Sequence, residues 1–424
     1  MRIQRVQSYL MSYALPEPLT LKFFGGERTI LKRDAMLIRV DLENGLTGWA
    51  PGPGSERAHH VIQNFVGPFL EGRMLADIDA LRVQFFGTPA GAPEHRNPYC
   101  AVEVALYDVL GKAHGFAMSE ILGGRVRDRI RLYSSAGMYQ PPQSYADEAA
   151  RFSELGFSAY KFRPALGPQG DLDTVERMRA NVPNGFELMV DAHSWWRMGD
   201  RSYNRETIHR LARQFAESEI YWLEEPFPPD DHAAYQALRD LEYVPIATGE
   251  HEPDENGYLD LIRSRASDYI QMDVCCQGGF TMGRRIFSEI GRAGLKFAFH
   301  SWGTALEVLA AAHLGVCWPE SVVEWLEYPI YTTSRVQSMY PFPLAAEILA
   351  EPLEIRQGEL IVPSAPGLGI AINEKVIERY PWLPGPWSIF RLESPPETYA
   401  ITSDHSVKWA DGENSAGHAG NTNA

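Results

Sequence analysis

The chain has 424 residues, 45% of them hydrophobic, and carries 39 basic against 55 acidic side chains. This length exceeds that of one ordinary domain, so we expect two. The formal net charge of −16 argues against nucleic acid and anionic membrane surfaces as partners, and leaves a small molecule as the expected ligand.

The cysteines and the N-terminus indicate a cytoplasmic protein. Cys100, Cys275, Cys276 and Cys317 form neither a CxxC pair nor a disulfide-rich pattern, which fits a reducing compartment. Residues 1–5 lack the apolar core of a signal peptide, and no apolar run approaches the length needed to span a membrane.

Residues 1–128 predict a small α+β domain. Within it, 35–40 and 46–50 are predicted to form a hairpin, because Asn44-Gly45 between them suits a tight primed turn. The remaining expectations for this domain are loops at 16–33 and 51–54 and helices around 61–70 and 101–110.

From residue 129 the pattern changes to short apolar runs that alternate with helical segments. Apolar runs without internal alternation are typical of strands buried on both faces of a parallel sheet. The runs cover 130–134, 159–163, 188–193, 221–226, 245–250, 269–273, 296–300 and 322–327. The predicted helices between them cover 144–155, 172–182, 206–215, 231–241, 257–263, 282–293 and 304–316. This alternation predicts a (β/α) barrel over 129–328, with its active site at the C-terminal ends of the strands.

The chain after the barrel is less regular. Proline-rich connections and a short β region at 353–362 make up a C-terminal return, which we assign to 329–400. Residues 401–424 are rich in Gly, Asn, Ser and Ala and poor in apolar residues, so they predict a disordered tail.

Three carboxylates end consecutive strands of the predicted barrel: Asp191, Glu224 and Glu250. A barrel would bring them together, and their mutual repulsion then calls for a divalent cation. Oxygen ligands suit a hard ion, above all Mg²⁺. Any one of these acids alone is better explained as a barrel-mouth group paired with Lys or Arg, but three in register favour a metal site.

Groups able to move protons follow the same strand-end pattern. Lys161 and Arg163 are two residues apart, so both side chains face the barrel interior. His193 follows the first predicted metal ligand by two residues. Asp273 and His300 end neighbouring strands, where a carboxylate beside an imidazole would fix its tautomer and raise its basicity.

Several motifs resemble one family, the enolase superfamily, and within it the mandelate racemase-like subgroup. They are ALYDVLGK at 105–112, ILGG at 121–124, WLEEP at 222–226, the pair Gly278-Gly279, and PSAPGLG at 363–369. The resemblance implies a modified TIM barrel, (β/α)7β, with an α+β capping domain built from the N-terminal segment and the C-terminal return. It also implies a homo-oligomer.

The resemblance assigns roles to the strand-end residues. It implies Mg²⁺ on the three carboxylates named above and abstraction of a proton alpha to a substrate carboxylate, with the metal stabilising the enediolate. The pair Asp273 and His300 matches the subgroup's base on one face, and Glu327 matches the acid that hydrogen-bonds the enolate oxygen. The segments 16–33 and 51–54 match loops that close over the site.

One departure from the family bears on the reaction. The second strand usually carries Lys-x-Lys, whose second lysine is the base on the other face, but here that position is Arg163. A guanidinium is always protonated and is a poor base. Dehydration needs one base and one acid, and His193 resembles the acid of some sugar-acid dehydratases. We therefore predict a Mg²⁺-dependent hydro-lyase that converts an aldonate or aldarate to the 2-keto-3-deoxy acid.

Other functions stay open at this point. A racemase, an epimerase or a lactone cycloisomerase would require Lys161 as base or a deprotonated Arg163. His300 could also serve as base and acid in a syn elimination. A non-catalytic barrel that only binds its ligand is the third possibility, although the intact set of acids and bases argues against it.

Three groups of residues are candidates for contacting the substrate. Lys161 and Arg163 would neutralise its carboxylate or a distal acid group. Trp195 either stacks on the substrate or packs a loop on the barrel rim. The cations Lys22, Arg28, Lys32 and Arg33 either contact a second carboxylate or form a solvated face.

Overall fold

The computed structural model describes residues 1–332, 340–404 and 406–409, and these form two sheets. One is an antiparallel sheet made from both ends of the chain, and the other contains a closed barrel of parallel strands. The predicted fold class, an α/β barrel with an α+β capping domain, is thus confirmed. Within this described part, no helix is both long and apolar enough to cross a membrane.

The N-terminal part is built on a long hairpin. Strand β1 (Ile3–Phe23) pairs with β2 (Gly26–Leu42), and β2 pairs in turn with β3 (Thr47–Gly52). The predicted hairpin around Asn44-Gly45 is confirmed by the second of these pairings. The helices that follow are α1 (Glu56–Val61), α2 (Gly67–Leu70), α3 (Ile78–Phe86), α4 (Pro93–His114) and α5 (Met118–Ile121).

The expectation of a loop at 16–33 was wrong, because this segment forms the end of the β1–β2 hairpin. The register shifts between Ala14/Lys32 and Leu19/Ile30, so the first strand bulges where its prolines lie. Lys32 and Arg33 are both buried although they are adjacent. A strand is recognised in the sequence by side chains that alternate between apolar and polar. The bulge and the two adjacent buried cations interrupt this alternation, so the segment does not resemble a strand.

The barrel follows the predicted order of strands and helices. Its strands are β4 (Arg129–Met138), β5 (Ala159–Arg163), β6 (Glu187–Asp191), β7 (Ile220–Glu224), β8 (Ile246–Thr248), β9 (Tyr269–Met272), β10 (Lys296–Phe299) and β11 (Val323–Pro329). The intervening helices are α6 (Pro142–Glu154), α7 (Pro168–Asn181), α8 (Arg205–Glu217), α9 (His232–Arg239), α10 (Glu255–Ser264), α11 (Gly279–Ala293) and α12 (Ala305–Gly315). Pairing of β11 with β4 closes the barrel.

A layer of buried side chains, one from each barrel strand, fills the barrel interior. Its members are Tyr133, Ala159, Met189, Trp222, Ala247, Tyr269, Ala298 and Trp325. Four aromatic rings pack beside three alanines and Met189, and together they fill the barrel core. Because this layer fills the interior, polar groups farther along the strands gather at the C-terminal mouth.

The C-terminal return adds strands to both the barrel sheet and the capping sheet. Its elements are α13 (Pro343–Glu347), β12 (Ile355–Arg356), β13 (Glu359–Ile361), α14 (Lys375–Arg379), β14 (Ser388–Glu393), β15 (Pro396–Ile401) and β16 (Ser406–Trp409). Strand β14 pairs with β2, and β16 pairs with β15. The strand at 406–409 differs from the predicted disordered tail, whose remainder, 410–424, lies outside the described residues.

Buried His313 predicts that the stability of the fold depends on pH. It lies in α12 with no exposed surface, and its Nε2–H donates to the carbonyl of Leu368 at 3.0 Å. Burial lowers the pKa of His313 to about 4. The unfolded imidazole takes up a proton below about pH 6.5. The free energy of unfolding should therefore fall by up to about 3 kcal/mol as the pH decreases from about 6.5 to about 4.

The variant His313→Gln keeps a donor for Leu368 and does not titrate. Urea unfolding across this pH range should show a smaller loss of stability in the variant than in the parent protein. Identical pH dependence in both would contradict the assignment to His313.

Candidate active site

The carboxyl ends of the barrel strands meet at one mouth, which holds most of the predicted site residues. Strand β5 carries Lys161 and Arg163, β6 and β7 end on Asp191 and Glu224, and β11 carries Glu327. The others lie just beyond their strands, namely His193, Glu250, Asp273 and His300. Parallel strands place their C-terminal ends on one side, and this geometry brings together groups far apart in sequence.

Lys161 lies at the centre of the carboxylates. Its Nζ is 2.6 Å from Glu224 Oε1, 3.1 Å from Glu327 Oε1 and 3.7 Å from Asp191 Oδ2, and it has no exposed surface. Burial alone would lower the pKa of Lys161, but the carboxylates of Glu224 and Glu327 outweigh it and raise that pKa well above its ordinary value. Removing one partner from a buried ion pair costs roughly 3–5 kcal/mol, so Lys161 holds this cluster together.

Arg163 is fixed beside the same acids. Its Nε lies 2.9 Å from Asp191 Oδ2, and its Nη2 lies 3.5 Å from Glu327 Oε1. The indole ring of Trp302 lies against the guanidinium, with Cζ 4.1 Å from the ring centroid. Burial would lower the pKa of Arg163, but Asp191 raises it further above its ordinary value. Arg163 is therefore a cation here and offers no lone pair to a proton.

His300 lies among three carboxylates. Its Nε2 is 3.2 Å from Glu250 Oε2 and 3.7 Å from Glu327 Oε2, and its Nδ1 is 3.8 Å from Asp273 Oδ2. Burial lowers the pKa of His300, but the charges of Glu250 and Glu327 outweigh it and raise that pKa to about 10. The predicted partners Asp273 and His300 are thus neighbours, at a separation longer than a hydrogen bond.

Asp273 is oriented by the backbone that follows it. Its Oδ1 accepts hydrogen bonds from the amides of Cys275 and Cys276 at 3.1 and 3.2 Å. These bonds fix the carboxylate at the start of the loop that leads to Gly278. The loop therefore presents the other oxygen of Asp273 to His300.

His193 contacts the first predicted metal ligand. Its Nδ1–H donates to Asp191 Oδ1 at 2.7 Å, and 15% of its side chain is exposed. Burial lowers the pKa of His193, although Asp191 opposes this effect. The second nitrogen, Nε2, is thereby left as the one that can exchange a proton with a substrate.

Glu327 is held as an anion. It accepts a hydrogen bond from the backbone amide of Ser301 at 3.0 Å and contacts Lys161 and Arg163. Burial would raise its pKa, but Lys161, His300 and Arg163 lower it below the ordinary value. In this arrangement Glu327 accepts hydrogen bonds, whereas the family resemblance implies a protonated acid that donates one.

The donor set at the mouth fits a hard cation. Burial raises the pKa of Glu224 to about 8, and the carboxylates of Asp191 and Glu250 contribute in the same direction despite Lys161. Glu250 Oε2 is buried without a hydrogen bond among the described residues. Carboxylate oxygens are the ligands that Mg²⁺ prefers, and these three residues supply them.

A second grouping shares one member with the predicted metal set. One ligand atom each from Glu225, Glu250 and His251 lies within 4.8 Å of the others. Asp191 and Glu224, by contrast, are engaged by Arg163 and Lys161. The sequence analysis missed Glu225 and His251, although both directly follow a predicted ligand.

The other candidate substrate contacts are Trp195 and the cations of the capping hairpin. The ring of Trp195 has no exposed surface and packs on Tyr203 and Phe215, with centroids 5.0 and 6.2 Å away. Trp195 therefore packs the loop after β6, which was the alternative to stacking on substrate. Lys22 is exposed on β1, whereas Arg28 and Arg33 on β2 are buried.

Comparison with known proteins gives a consistent family. A family model described as enolase C-terminal domain-like matches residues 144–376. D-galactarolactone cycloisomerase of Agrobacterium fabrum is 26% identical over 389 residues, 90% of this chain and 99% of that protein. L-rhamnonate dehydratase of Saccharopolyspora erythraea is 28% identical over 360 residues, 82% of this chain and 85% of that protein.

Solved structures agree with these relatives. A proposed mandelate racemase from Bordetella bronchiseptica RB50, complexed with 2-oxoglutarate/phosphate, superimposes with a TM-score of 0.79 at 27% identity. The match covers 91% of this chain and 99% of that one. The closed barrel, the antiparallel capping sheet and the matched family model lead to one assignment. This chain belongs to the enolase superfamily, in its mandelate racemase-like group.

Proposed function

We propose that the protein dehydrates a sugar acid, an aldonate or aldarate, to the 2-keto-3-deoxy acid. The observation that carries this proposal is Arg163 at the position of the family's second base. It is buried and paired with Asp191, while two imidazoles, His300 and His193, remain at the mouth. One base and one acid are what elimination of water requires.

The roles of the residues follow from their contacts. His300 takes the α proton, and Asp273 orients its ring from the Nδ1 side. Lys161 and Arg163 attract the substrate carboxylate into the mouth, and Glu327 holds both cations in place. His193, oriented by its bond to Asp191, protonates the departing hydroxyl from Nε2, after this nitrogen has taken up a proton, because burial favours the neutral ring.

Asp191, Glu224 and Glu250 would hold Mg²⁺. Bound there, the ion would offset the carboxylates that raise the pKa of His300 and supply positive charge for the deprotonated acid. The 2-oxoglutarate/phosphate complex of the Bordetella protein supports a carboxylate as ligand.

A cycloisomerase is the second candidate, since D-galactarolactone cycloisomerase is a relative over nearly the whole chain. A racemase or epimerase is less favoured, because it needs a base on each face and Arg163 is protonated. A barrel that binds without catalysis would have no use for two imidazoles beside three carboxylates. We further propose a cytoplasmic homo-oligomer, on the basis of the cysteine pattern and the family resemblance.

The variant His193→Asn separates these functions. It should slow dehydration by about 10²–10⁴-fold, because expulsion of hydroxide needs an acid. Exchange of the α proton with solvent should continue, because it needs the metal, Glu327 and the base His300 but no acid for a departing hydroxyl. The measurement is a screen of mono- and diacid sugars with Mg²⁺ for 2-keto product, with exchange followed by NMR in D₂O.

A control variant is His209→Asn, a partly exposed residue of α8. It should leave both dehydration and exchange unchanged. Undiminished dehydration in His193→Asn would remove His193 as the acid. Exchange without any loss of water in the parent protein, on every acid tested, would move the cycloisomerase ahead.

A further inference from the structure

Asp171 is a buried carboxylate that has no role in the reaction described so far. It lies in the first turn of α7 and has no exposed surface. Its Oδ1 accepts a hydrogen bond from the amide of Leu166 at 2.6 Å, and its Oδ2 accepts one from the hydroxyl of Tyr203 at 2.8 Å. Among the described residues it forms no ion pair, so neutral donors hold this carboxylate.

The burial of Asp171 opposes folding. Burial raises the pKa of Asp171 to about 7, although the bonds from Leu166 and Tyr203 act in the other direction. The titratable groups that face it are Tyr203 and Tyr145, and burial raises the pKa of both phenols, so neither supplies a charge. Because an unfolded aspartate has a pKa of about 3.9, the penalty grows as the pH rises from there to about 7. A group that is kept despite such a penalty is expected where it serves the site.

Tyr203, the partner of this carboxylate, belongs to the loop that carries His193. This His193 loop, residues 192–204, connects β6 to α8. The amide of Tyr203 donates to the carbonyl of Trp195 at 2.8 Å, and the two rings pack with centroids 5.0 Å apart. The amide of Trp195 donates in turn to the carbonyl of Ala192 at 2.8 Å. A continuous series of contacts therefore leads from the buried carboxylate to the residue directly before His193.

The other partner of the carboxylate belongs to the loop after β5. Leu166 follows Arg163 by three residues on this loop. The carbonyl of Arg163 accepts from the hydroxyl of Tyr145 at 2.6 Å and from the amide of Tyr139 at 3.3 Å. The hydroxyl of Tyr139 lies 2.6 Å from the hydroxyl of Ser194, which follows His193 directly. The two loops are thus joined both at the mouth and at the buried carboxylate.

We infer that Asp171 is a positioning residue, which acts through Tyr203 to hold the His193 loop where His193 reaches the substrate. The inference rests on the proposed function, in which His193 protonates the departing hydroxyl. The bond to Asp191 fixes Nδ1 of His193, whereas the distance from Nε2 to the substrate depends on where the loop lies. A misplacement of about 1 Å can lower a rate about 10²-fold.

Removing the carboxylate should slow dehydration and spare exchange of the α proton. Asp171→Ala should lower kcat for dehydration roughly 10–100-fold, with KM and α-proton exchange within about twofold of the parent values. Tyr203→Phe, which removes only the hydroxyl, should lower the same kcat roughly fivefold, as expected for one lost hydrogen bond. The two reactions separate because abstraction of the α proton uses His300 and not the acid on the His193 loop.

The double variant Asp171→Ala/Tyr203→Phe tests whether the two residues act as one unit. It should be no slower than Asp171→Ala alone, because both substitutions break the same contact. Asp171→Asn should restore part of the rate, since its amide oxygen can still accept from Leu166. Asp173→Ala is the matched control, because Asp173 is a partly exposed residue of the same helix that accepts from Gln169 at 2.8 Å. It should leave both reactions unchanged.

Three results would overturn the inference. They are undiminished dehydration in folded Asp171→Ala, additive losses in the double variant, and equal loss of dehydration and α-proton exchange, which indicates general damage to the fold. Thermal unfolding reports whether each variant has folded. If Asp171→Ala does not fold, Tyr203→Phe and Asp171→Asn allow the same comparison.

Failure of the proposed function gives a different result. In that case no acid loses water, and amide hydrogen exchange of the His193 loop replaces the kinetic measurement. The amides of Trp195 and Tyr203, which donate within this loop, should exchange about tenfold faster or more in Asp171→Ala, because the loop opens more often. In Asp173→Ala they should exchange at the parent rate. Unchanged amide exchange in Asp171→Ala would contradict the positioning role whatever reaction the protein performs.

Discussion

Replacing His300 by asparagine is expected to abolish both dehydration and exchange of the substrate's α proton with solvent. The imidazole lies between Glu250 and Glu327, at 3.2 and 3.7 Å, where the substrate carboxylate must enter. A positioned base contributes about 10²–10⁴-fold to a rate. Arg163 does not take over, because it is a permanent cation, which leaves Lys161 as the alternative base to test.

The same NMR assay in D₂O measures both reactions for His300→Asn, with thermal unfolding as the check on folding. Retained exchange in His300→Asn, combined with lost exchange in Lys161→Met, would show that the proton leaves from the other face. In that event the isomerase becomes the better proposal.

Replacing Asp191 by asparagine is expected to remove Mg²⁺ binding and activity while the fold persists. Asp191 is one of the three anionic ligands that we propose, and the asparagine leaves the site with one negative charge fewer. The amide oxygen of the asparagine can still accept a hydrogen bond from Arg163, whose Nε lies 2.9 Å from Asp191 Oδ2 in the parent protein. The barrel should therefore remain folded. The expected loss of activity is at least as large as that caused by removing the base, about 10²–10⁴-fold.

Two measurements check this prediction. Mg²⁺ should raise the melting temperature of the parent protein, because an ion that binds only the folded state stabilises it, and should have little effect on Asp191→Asn. The companion variant is Glu225→Gln, from the group of Glu225, Glu250 and His251. If Glu225→Gln loses the Mg²⁺ effect and Asp191→Asn keeps it, the ion is held by that group. Full turnover after exhaustive chelation would contradict any metal requirement.

The barrel could be predicted because each of its strands is a short apolar run that can be recognised without knowledge of its partners. Strand β5, for example, is buried along its entire length and ends on a charged residue. Neither a strand with one exposed face nor an amphipathic helix produces this pattern. The hairpin at 16–33 could not, because Lys32 and Arg33 are buried through contacts with residues more than 300 positions away. A local pattern carries no information about such partners.

For the site, the sequence allowed a prediction of which residues lie close together. The positions of Asp191, Glu224 and Lys161 on barrel strands predict that these residues lie close together, because the C-terminal ends of parallel strands meet at one mouth. What each side chain does there depends on distances of a few ångströms, such as the 3.8 Å between His300 and Asp273. The burial of Trp195 likewise depends on its packing with Tyr203, which the sequence does not reveal.

The pairing of β14 with β2 has a consequence for synthesis of the chain. Ile30 pairs with Ser388, so β2 is synthesised long before its partner strand. The barrel can close while β2 still presents an open edge, and such edges promote association between nascent chains. The open edge of β2 carries Glu27, Arg28 and Thr29, and their polar side chains disfavour such association. The same polar side chains that make this segment resemble a loop in the sequence therefore disfavour association of its open edge before β14 is synthesised.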